Sequence, residues 1–82
     1  MSMITGSQIG SARAALRISA VELASRAGVG EQTIKRFEGS DGVPPSRSAT
    51  LLIVKKTLEA AGIEFIGAPE DAPGIRLHKI RD

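Results

Sequence analysis

Residues 20–39, AVELASRAGVGEQTIKRFEG, contain two short segments of helical apolar spacing that meet at a glycine. Two short helices can cross steeply only when the turn between them is tight and the residues in contact are small. Ala24 is a small residue in the first segment, where a larger side chain would push the helices apart. Gly28 can adopt the positive φ that a tight corner requires. The stretch therefore predicts two helices, Ala20–Ala27 and Glu31–Glu38, joined by a sharp turn.

Helical signals also lie on both sides of this pair. Apolar residues spaced three and four apart predict one helix over Ser7–Ile18 and another over Ala49–Ala61. Ser48 is the expected N-cap of the latter. Ser19 precedes the first helix of the central pair and is followed three residues later by Glu22, which predicts a capping box. We therefore expect four helices before the apolar period of the chain changes.

Beyond Gly62 the apolar spacing becomes that of strands. Ile63–Ile66 and Ile75–His78 predict two short strands, and residues 67–74 between them, rich in Gly and Pro, predict a turn. An isolated two-stranded hairpin is only marginally stable in water. We therefore expect one face of this hairpin to cover the helices.

The composition narrows the classes of function. The chain has 82 residues and a mass of 8.6 kDa, which is enough for one small domain. Two Phe and no Tyr or Trp disfavour modules that bind RNA or single strands by stacking bases on aromatic rings. No Cys, a single His, no paired carboxylates and no phosphate-binding loop predict a protein that is not an enzyme and uses no metal or cofactor. A net charge of +2 allows a polyanionic partner without requiring one.

No targeting segment is visible in the sequence. The N-terminal residues lack the basic start and the apolar run of a signal peptide. Leu51–Val54 is the most apolar stretch and is far too short to span a bilayer. We expect a soluble, cytoplasmic protein that makes no membrane contact.

The central pair of helices resembles the helix-turn-helix of the Cro/repressor family, also called the XRE family. That family has a small residue at the fifth position of the motif, Gly at the ninth, and apolar residues at the fourth, tenth, fifteenth and eighteenth. The residues at those places here are Ala24, Gly28, Leu23, Val29, Ile34 and Phe37. The likeness covers about residues 4–62, which it implies are a mainly α, lambda-repressor-like DNA-binding domain of four to five helices. Residues 63–80 form the expected C-terminal β-hairpin extension, which departs from the fifth helix common in the family.

The resemblance implies a bacterial or phage-type transcription regulator that places its second motif helix in the major groove of double-stranded DNA. The long polar side chains on the outward side of that helix support this independently. Gln32 and Arg36 are neighbours one turn apart, and each can form two hydrogen bonds to a base edge, Gln to adenine and Arg to guanine. Glu31 is a further candidate for base contact, through cytosine N4. Glu31 also suits the positive end of the helix and an ion pair with Lys35.

Other polar residues are candidates for contacts with the sugar-phosphate backbone. They are Lys35, Thr33, Arg47, Arg17 and Ser19. Arg47 precedes the fourth predicted helix, where the family commonly touches the DNA backbone, and Thr33 also suits a thymine methyl group. Ala20 and Gly30 stand where the family usually has polar contact residues. We therefore expect a lower affinity per protomer rather than a different fold.

Two charged residues are assigned to the fold rather than to DNA. The family pairs an Arg of its first helix with the Glu that ends the recognition helix. Arg13 and Glu38 occupy those places, so the resemblance implies an ion pair between them. His78 is the only histidine, and without a partner cluster in the sequence it is expected to be a surface residue.

The resemblance also bears on partners. The family usually works as two-fold dimers, which implies a homodimer on a palindromic operator. We expect the hairpin to take part in that interface; the alternative is a tail that only caps the core of a monomer. Some helix-turn-helix domains bind proteins instead, so the alternative function is a protein-interaction module or an antitoxin-like partner of a toxin. The polar outer side of Glu31–Glu38 favours DNA.

Overall fold

The computed structural model describes residues 3–40, 42–44 and 48–78. In this part of the chain, four α-helices are followed by a two-stranded antiparallel sheet. The elements are α1 (Gly6–Leu16), α2 (Ala20–Ala27), α3 (Glu31–Glu38), α4 (Ser48–Ala60), β1 (Ile63–Ala68) and β2 (Asp71–Leu77). The expected four helices and C-terminal hairpin are confirmed, and α2 and α3 have the predicted bounds. No helix in these residues has the length and apolar character needed to cross a membrane.

A complete capping box holds the start of α1. The Thr5 hydroxyl accepts a hydrogen bond from the Gln8 backbone N–H at 3.0 Å, and the Gln8 side-chain oxygen accepts one from the Thr5 N–H at 2.8 Å. Both residues are buried. The pattern Thr-x-x-Gln carries this signal in the sequence, although apolar spacing alone places the helix start too late. α1 ends at Leu16 instead of Ile18 because Arg17 has left-handed backbone, with φ of 59°.

One hydrophobic core contains residues from all four helices and from β1. It consists of Ile4, Ile9, Ala12, Leu23, Ala24, Ile34, Phe37, Leu51, Val54, Leu58 and Ile63. Leu52, which the apolar pattern also places on the inner stripe of α4, is only half-buried. The 3.6-residue period puts Leu52 about 100° around the helix from Leu51. The inner stripe of α4 is therefore narrower than the sequence pattern suggests.

The start of α1 packs directly on the C-terminal end of α3. A Cβ on Gly6 would overlap the carbonyl oxygen of Phe37 and would lie 2.9 Å from the carbonyl oxygen of Ser40. The Gly6 N–H donates to the Gly42 carbonyl oxygen at 3.0 Å. Glycine is therefore required at position 6 by the close approach of two backbone segments.

α4 begins and ends one residue earlier than predicted. Ser48 is the first residue of the helix and not the cap before it. At the other end, the Gly62 N–H donates to the Glu59 carbonyl oxygen at 3.0 Å, and Gly62 has a φ of 105°. The positive φ explains why a glycine terminates this helix, as the sequence predicts.

The two strands are longer than predicted, and the turn between them is shorter. The turn covers residues 69–70, so the predicted turn over residues 67–74 is wrong. Pairing continues through the Gly- and Pro-rich segment because the register shifts after Ile66, where Gly67 adopts a φ of 77°. A Cβ on Gly67 would overlap the carbonyl oxygen of Ala72. Residues 67–74 hold too few large apolar side chains for their alternation to reveal such a bulge.

One face of the hairpin covers the helices, as expected. The register pairs Ile63 with Leu77 and Phe65 with Ile75, so these four side chains share a face. Ile63 belongs to the core, and Phe65 and Ile75 pack against it. Leu77, at the open end of this face, is 43% exposed.

Gln8 connects this hairpin to α1. Its side-chain Nε2 donates to the carbonyl oxygen of Ile66 at 3.1 Å and to that of Gly74 at 2.8 Å. Because its Oε1 also accepts from Thr5, one buried amide serves three backbone groups from distant parts of the chain. The position of the hairpin relative to the helices therefore depends on this side chain.

Replacement of Gln8 by Met, which has a similar length but no amide, should lower the free energy of unfolding by about 1–3 kcal/mol, because buried partners lose their hydrogen bonds. Gln32→Met makes the same change at an exposed site and should cost less than about 0.5 kcal/mol. Urea unfolding of both variants measures the difference. Equal losses would contradict the anchoring role of Gln8.

Candidate nucleic-acid interface

The turn between α2 and α3 is built as the sequence predicts. α2 ends at Gly28, which has left-handed backbone with φ of 71°. A Cβ on Gly28 would meet no atom within 4 Å, so glycine is favoured here by its φ and not by a lack of space. Ala24 is 4% exposed, and its carbonyl oxygen accepts from the Val29 N–H at 3.0 Å. The predictions of a positive φ at Gly28 and a small buried residue at Ala24 are confirmed.

The start of α2 is capped by one hydrogen bond rather than two. The Ser19 hydroxyl accepts from the Glu22 N–H at 3.1 Å. The Glu22 carboxylate accepts from Nε and Nη2 of Arg26, at 3.1 and 2.9 Å, instead of reaching back to Ser19. The predicted capping box is therefore only half formed. An Arg one turn further along offers two charge-assisted hydrogen bonds, which are stronger than one to a neutral N–H.

α3 has a buried side and an exposed side. Ile34 and Phe37 point into the core and are fully buried. The exposed residues are Gln32, Lys35 and Arg36, while Glu31 and Thr33 are half-buried. The predicted polar outer side of α3 is confirmed.

Gln32 and Arg36 lie one turn apart on the exposed side of α3. Neither side chain has a hydrogen bond or an ion pair with any residue that the structure describes. Gly30, at the N-cap of α3, makes no side-chain cap, so the N-terminal end of the helix is open beside Gln32. The guanidinium and the amide are both available to a ligand approaching from outside.

Glu31 and Lys35 form an ion pair along the same helix. Lys35 Nζ lies 2.9 Å from Glu31 Oε2, and the two side chains remain 57% and 39% exposed. The sequence allows two roles for Glu31, contact with a DNA base and an ion pair with Lys35. The structure contains the ion pair.

Arg13 fixes the C-terminal end of α3 to α1. Its Nε and Nη2 donate to the two carboxylate oxygens of Glu38 at 2.8 and 3.0 Å, and its Nη1 donates to the Ile18 carbonyl oxygen at 3.1 Å. The hydrogen bond with Glu38 raises the pKa of Arg13, against a smaller opposing effect of burial. The ion pair implied by the family resemblance is present, and it also fixes the turn that leads into α2.

The remaining candidates for DNA backbone contacts are distributed around the motif. Arg17 is exposed at the left-handed end of α1, and Ser19 is exposed at the start of α2. Thr33 lies in the first turn of α3. Arg47 is outside the residues that the structure describes. Arg17 and Ser19 therefore belong to one short turn, directly before the first helix of the motif.

A second group of charged residues lies on the outer face of the hairpin. His78 Nε2 donates to Glu64 Oε1 at 2.7 Å, and Arg76 Nη1 lies 3.3 Å from the same oxygen. The hydrogen bond from His78 is the main cause that lowers the pKa of Glu64; burial opposes it, and the charge of Arg76 adds to it. His78 is at the surface, as expected, and Glu64 is its hydrogen-bond partner there. In residues 3–40, 42–44 and 48–78, no three His, Asp or Glu side chains are arranged to hold a metal ion.

Comparison with known proteins assigns no family. Neither the models of known protein families nor the curated proteins give a match to this sequence. The resemblance to the Cro/repressor family therefore rests on the motif residues, and the function is inferred from the site itself.

Replacement of Gly28 by Ala should lower the free energy of unfolding by about 1–2 kcal/mol, because an L-residue is strained in the left-handed region. Gly30→Ala is the matched control, two residues away. Gly30 has a φ of −78°, and a Cβ there would come no closer than 4.0 Å to Thr33 Oγ1. Ala is a poorer N-cap than Gly, which lowers stability, but it also reduces the entropy of the unfolded chain, which raises stability. Gly30→Ala should therefore change the free energy of unfolding by less than about 0.5 kcal/mol.

Thermal melts of the two variants compare these effects directly. A larger loss for Gly28→Ala is the expected result. Equal melting temperatures for the two variants would show that the left-handed conformation of Gly28 does not stabilise the turn between α2 and α3.

Proposed function

We propose that this protein binds duplex DNA sequence-specifically, as a bacterial or phage-type transcription regulator with α3 in the major groove. The observation that carries the proposal is the pair Gln32 and Arg36. These side chains are exposed, lie one turn apart and have no partner among the described residues, on a helix whose other side is fully buried. Bacterial DNA lies in the cytoplasm, so we propose a cytoplasmic location as well.

The size of α3 suits the major groove. A helix of eight residues is about 12 Å long, and the major groove is about 12 Å wide. Recognition helices contact base edges mainly with residues near their N-terminus, and Gln32 is the second residue of α3. Arg36 follows one turn later on the same side. Together the two side chains can read adjacent base pairs.

The support behind α3 favours specific recognition. Its N-terminal end follows the Gly28 corner, its middle is held by Ile34 in the core, and its C-terminal end is held by Glu38 to Arg13. A backbone that is already ordered before binding leaves only side-chain ordering as a cost. This preorganisation lets a small number of base contacts discriminate between sequences.

Contacts with phosphates would position the helix in the groove. In helix-turn-helix proteins the first motif helix crosses the DNA backbone. Arg17 and Ser19 lie at the turn that starts this helix, and they are the first candidates for that role. Thr33 and Arg47 complete the proposed set of backbone contacts, and Lys35 is a weaker candidate because its ammonium is paired with Glu31.

An apolar outer side on α3 would favour a protein-binding function, including that of an antitoxin-like partner. α3 exposes no large apolar side chain. In the described part of the chain, the exposed large apolar side chains are Met3, Val21, Ile53 and Leu77. DNA is therefore the better-supported partner for α3.

We further propose a homodimer on a palindromic operator, joined through the outer edge of β2. The His78 N–H donates to the Gly62 carbonyl oxygen at 2.8 Å. Because hydrogen-bonded and non-hydrogen-bonded pairs alternate in an antiparallel ladder, the N–H and C=O groups of Ile75 and Leu77 point away from β1. In the described part of the chain no strand pairs with them. An edge of this kind can pair with a second copy, and two copies of α3 would then meet two half-sites.

Arg36→Ala should weaken binding to the preferred site by about 1–3 kcal/mol and relax the preference at one base pair. Lys56→Ala removes an exposed positive charge from α4 and should leave the preference unchanged. Selection from a genomic fragment library, read by sequencing, yields the site for the original protein and the preferences of both variants. Unchanged selectivity in Arg36→Ala would refute the role of Arg36. Failure of the unaltered protein to select any fragment would refute DNA binding itself.

Leu77→Lys should convert the proposed dimer to a monomer, because a charge at a strand edge opposes edge-to-edge pairing. Val21→Lys changes a residue that is more exposed, at 56%, and lies on α2, away from the hairpin, so it should leave the dimer intact. Sedimentation velocity over a range of concentrations measures the mass, and far-UV circular dichroism checks that both variants are folded. A monomeric unaltered protein at all concentrations would rule out this interface.

A further inference from the structure

The two cations on the exposed side of α3 differ in their pairing. The Arg36 guanidinium has no partner among the described residues, whereas Lys35 Nζ lies 2.9 Å from a carboxylate oxygen of Glu31. Only one of the two positive charges is therefore free to meet a phosphate or a base. The difference has a cause on the same helix, because Glu31 stands one turn before Lys35, and the neutral Gln32 stands one turn before Arg36.

We propose that Glu31 holds Lys35 away from DNA phosphates and so limits the sequence-independent part of DNA binding. Glu31 is then a positioning residue that acts through Lys35, not a residue that reads bases. This inference rests on the proposed function, and it replaces base contact by Glu31 with a different role in the same interface.

Two physical effects keep Glu31 in place. An acidic residue one turn N-terminal to a lysine is the more favourable order of such a pair. Glu31 is also the first residue of α3, where the positive end of the helix attracts a carboxylate and where Gly30 provides no capping side chain. An exposed pair of this type shifts an equilibrium by only about twofold, so the restraint on Lys35 is partial. The carboxylate adds direct repulsion of any phosphate that approaches the first turn.

The consequence lies in the balance between two kinds of contact. Binding to non-specific DNA comes almost entirely from phosphate contacts. The logarithm of the binding constant falls linearly with the logarithm of the salt concentration, and each phosphate contact makes this slope more negative by about 0.9. Because Glu31 partly holds Lys35 and itself repels phosphates, the contact of Lys35 with a phosphate is weakened on any sequence. A larger share of its affinity then comes from Gln32 and Arg36.

α2 carries the same arrangement, which supports the inference independently. Arg26 Nη2 lies 2.9 Å from Glu22, again with the acidic residue one turn before the basic one. Both helices of the motif therefore pair an exposed cation internally. The low net charge of +2 is in keeping with weak non-specific attraction to DNA.

The test compares Glu31→Gln with the unaltered protein on a labelled DNA duplex of arbitrary sequence. Fluorescence anisotropy at a series of KCl concentrations gives the affinity and its salt slope. Glu31→Gln should bind roughly 3- to 10-fold more tightly at low salt, with a slope steeper by up to about 0.9. Glu59→Gln is the matched control, since it makes the same change of charge at an exposed site on α4. Its slope should stay that of the unaltered protein.

Lys35→Gln then identifies the cation involved. In the otherwise unaltered protein it should change the slope little, and in Glu31→Gln it should remove the added slope. An unchanged slope in Glu31→Gln, or an equal increase in Glu59→Gln, would overturn the proposal while leaving DNA binding intact. Loss of preference for one C·G base pair by Glu31→Gln, in selection from a fragment library, would overturn it too, because Glu31 would then read a base. If the unaltered protein and all variants bind no DNA, this inference and the proposed function fall together.

Discussion

The close contact between the start of α1 and the end of α3 sets where every candidate functional residue lies. Gly6 meets the carbonyl oxygens that end α3 so closely that no side chain fits between them. The same turn of α1 carries Gln8, which holds the hairpin, and the last turn carries Arg13, which holds Glu38. α1 is thus a support to which both α3 and the hairpin are attached. A side chain at position 6 would therefore force the start of α1 and the end of α3 apart.

This arrangement also explains why Arg36 has no side-chain partner among the residues that the structure describes. Both acidic residues of α3 are already committed, Glu31 to Lys35 and Glu38 to Arg13. The residues one turn before and after Arg36 are Gln32 and Ser40, and neither carries a charge. An exposed Arg with an acidic neighbour at that spacing would gain an ion pair within its own helix. Without such a neighbour, the Arg36 guanidinium gains no ion pair within α3 and is available to the proposed DNA contact.

The sequence predicts local features well and features that depend on distant residues poorly. The corner at Gly28 could be predicted because φ and spacing are properties of a few consecutive residues. The hydrogen bonds of Gln8 to Ile66 could not, because they need the hairpin already placed against α1. The turn of the hairpin is shorter than the sequence predicts, because a register shift at Gly67 keeps the Pro-containing segments paired. Glu22 can either complete the capping box with Ser19 or pair with Arg26, and the sequence pattern does not show which of the two interactions is stronger.

The distribution of charge bears on the proposed dimer. Among the described residues, Arg13, Arg26, Lys35 and Arg76 are engaged in ion pairs. Two of the cations whose side chains have no partner there, Arg17 and Arg36, lie in or next to the motif. At least four of the eleven lysines and arginines are thus balanced by a carboxylate within a few ångströms, which lowers the long-range attraction that the proposed interface would exert on DNA. A single eight-residue helix then has few contacts with which to hold a site. Doubling those contacts across a two-fold axis raises affinity without adding basic charge, so the mild charge of the chain is itself an argument for two copies on DNA.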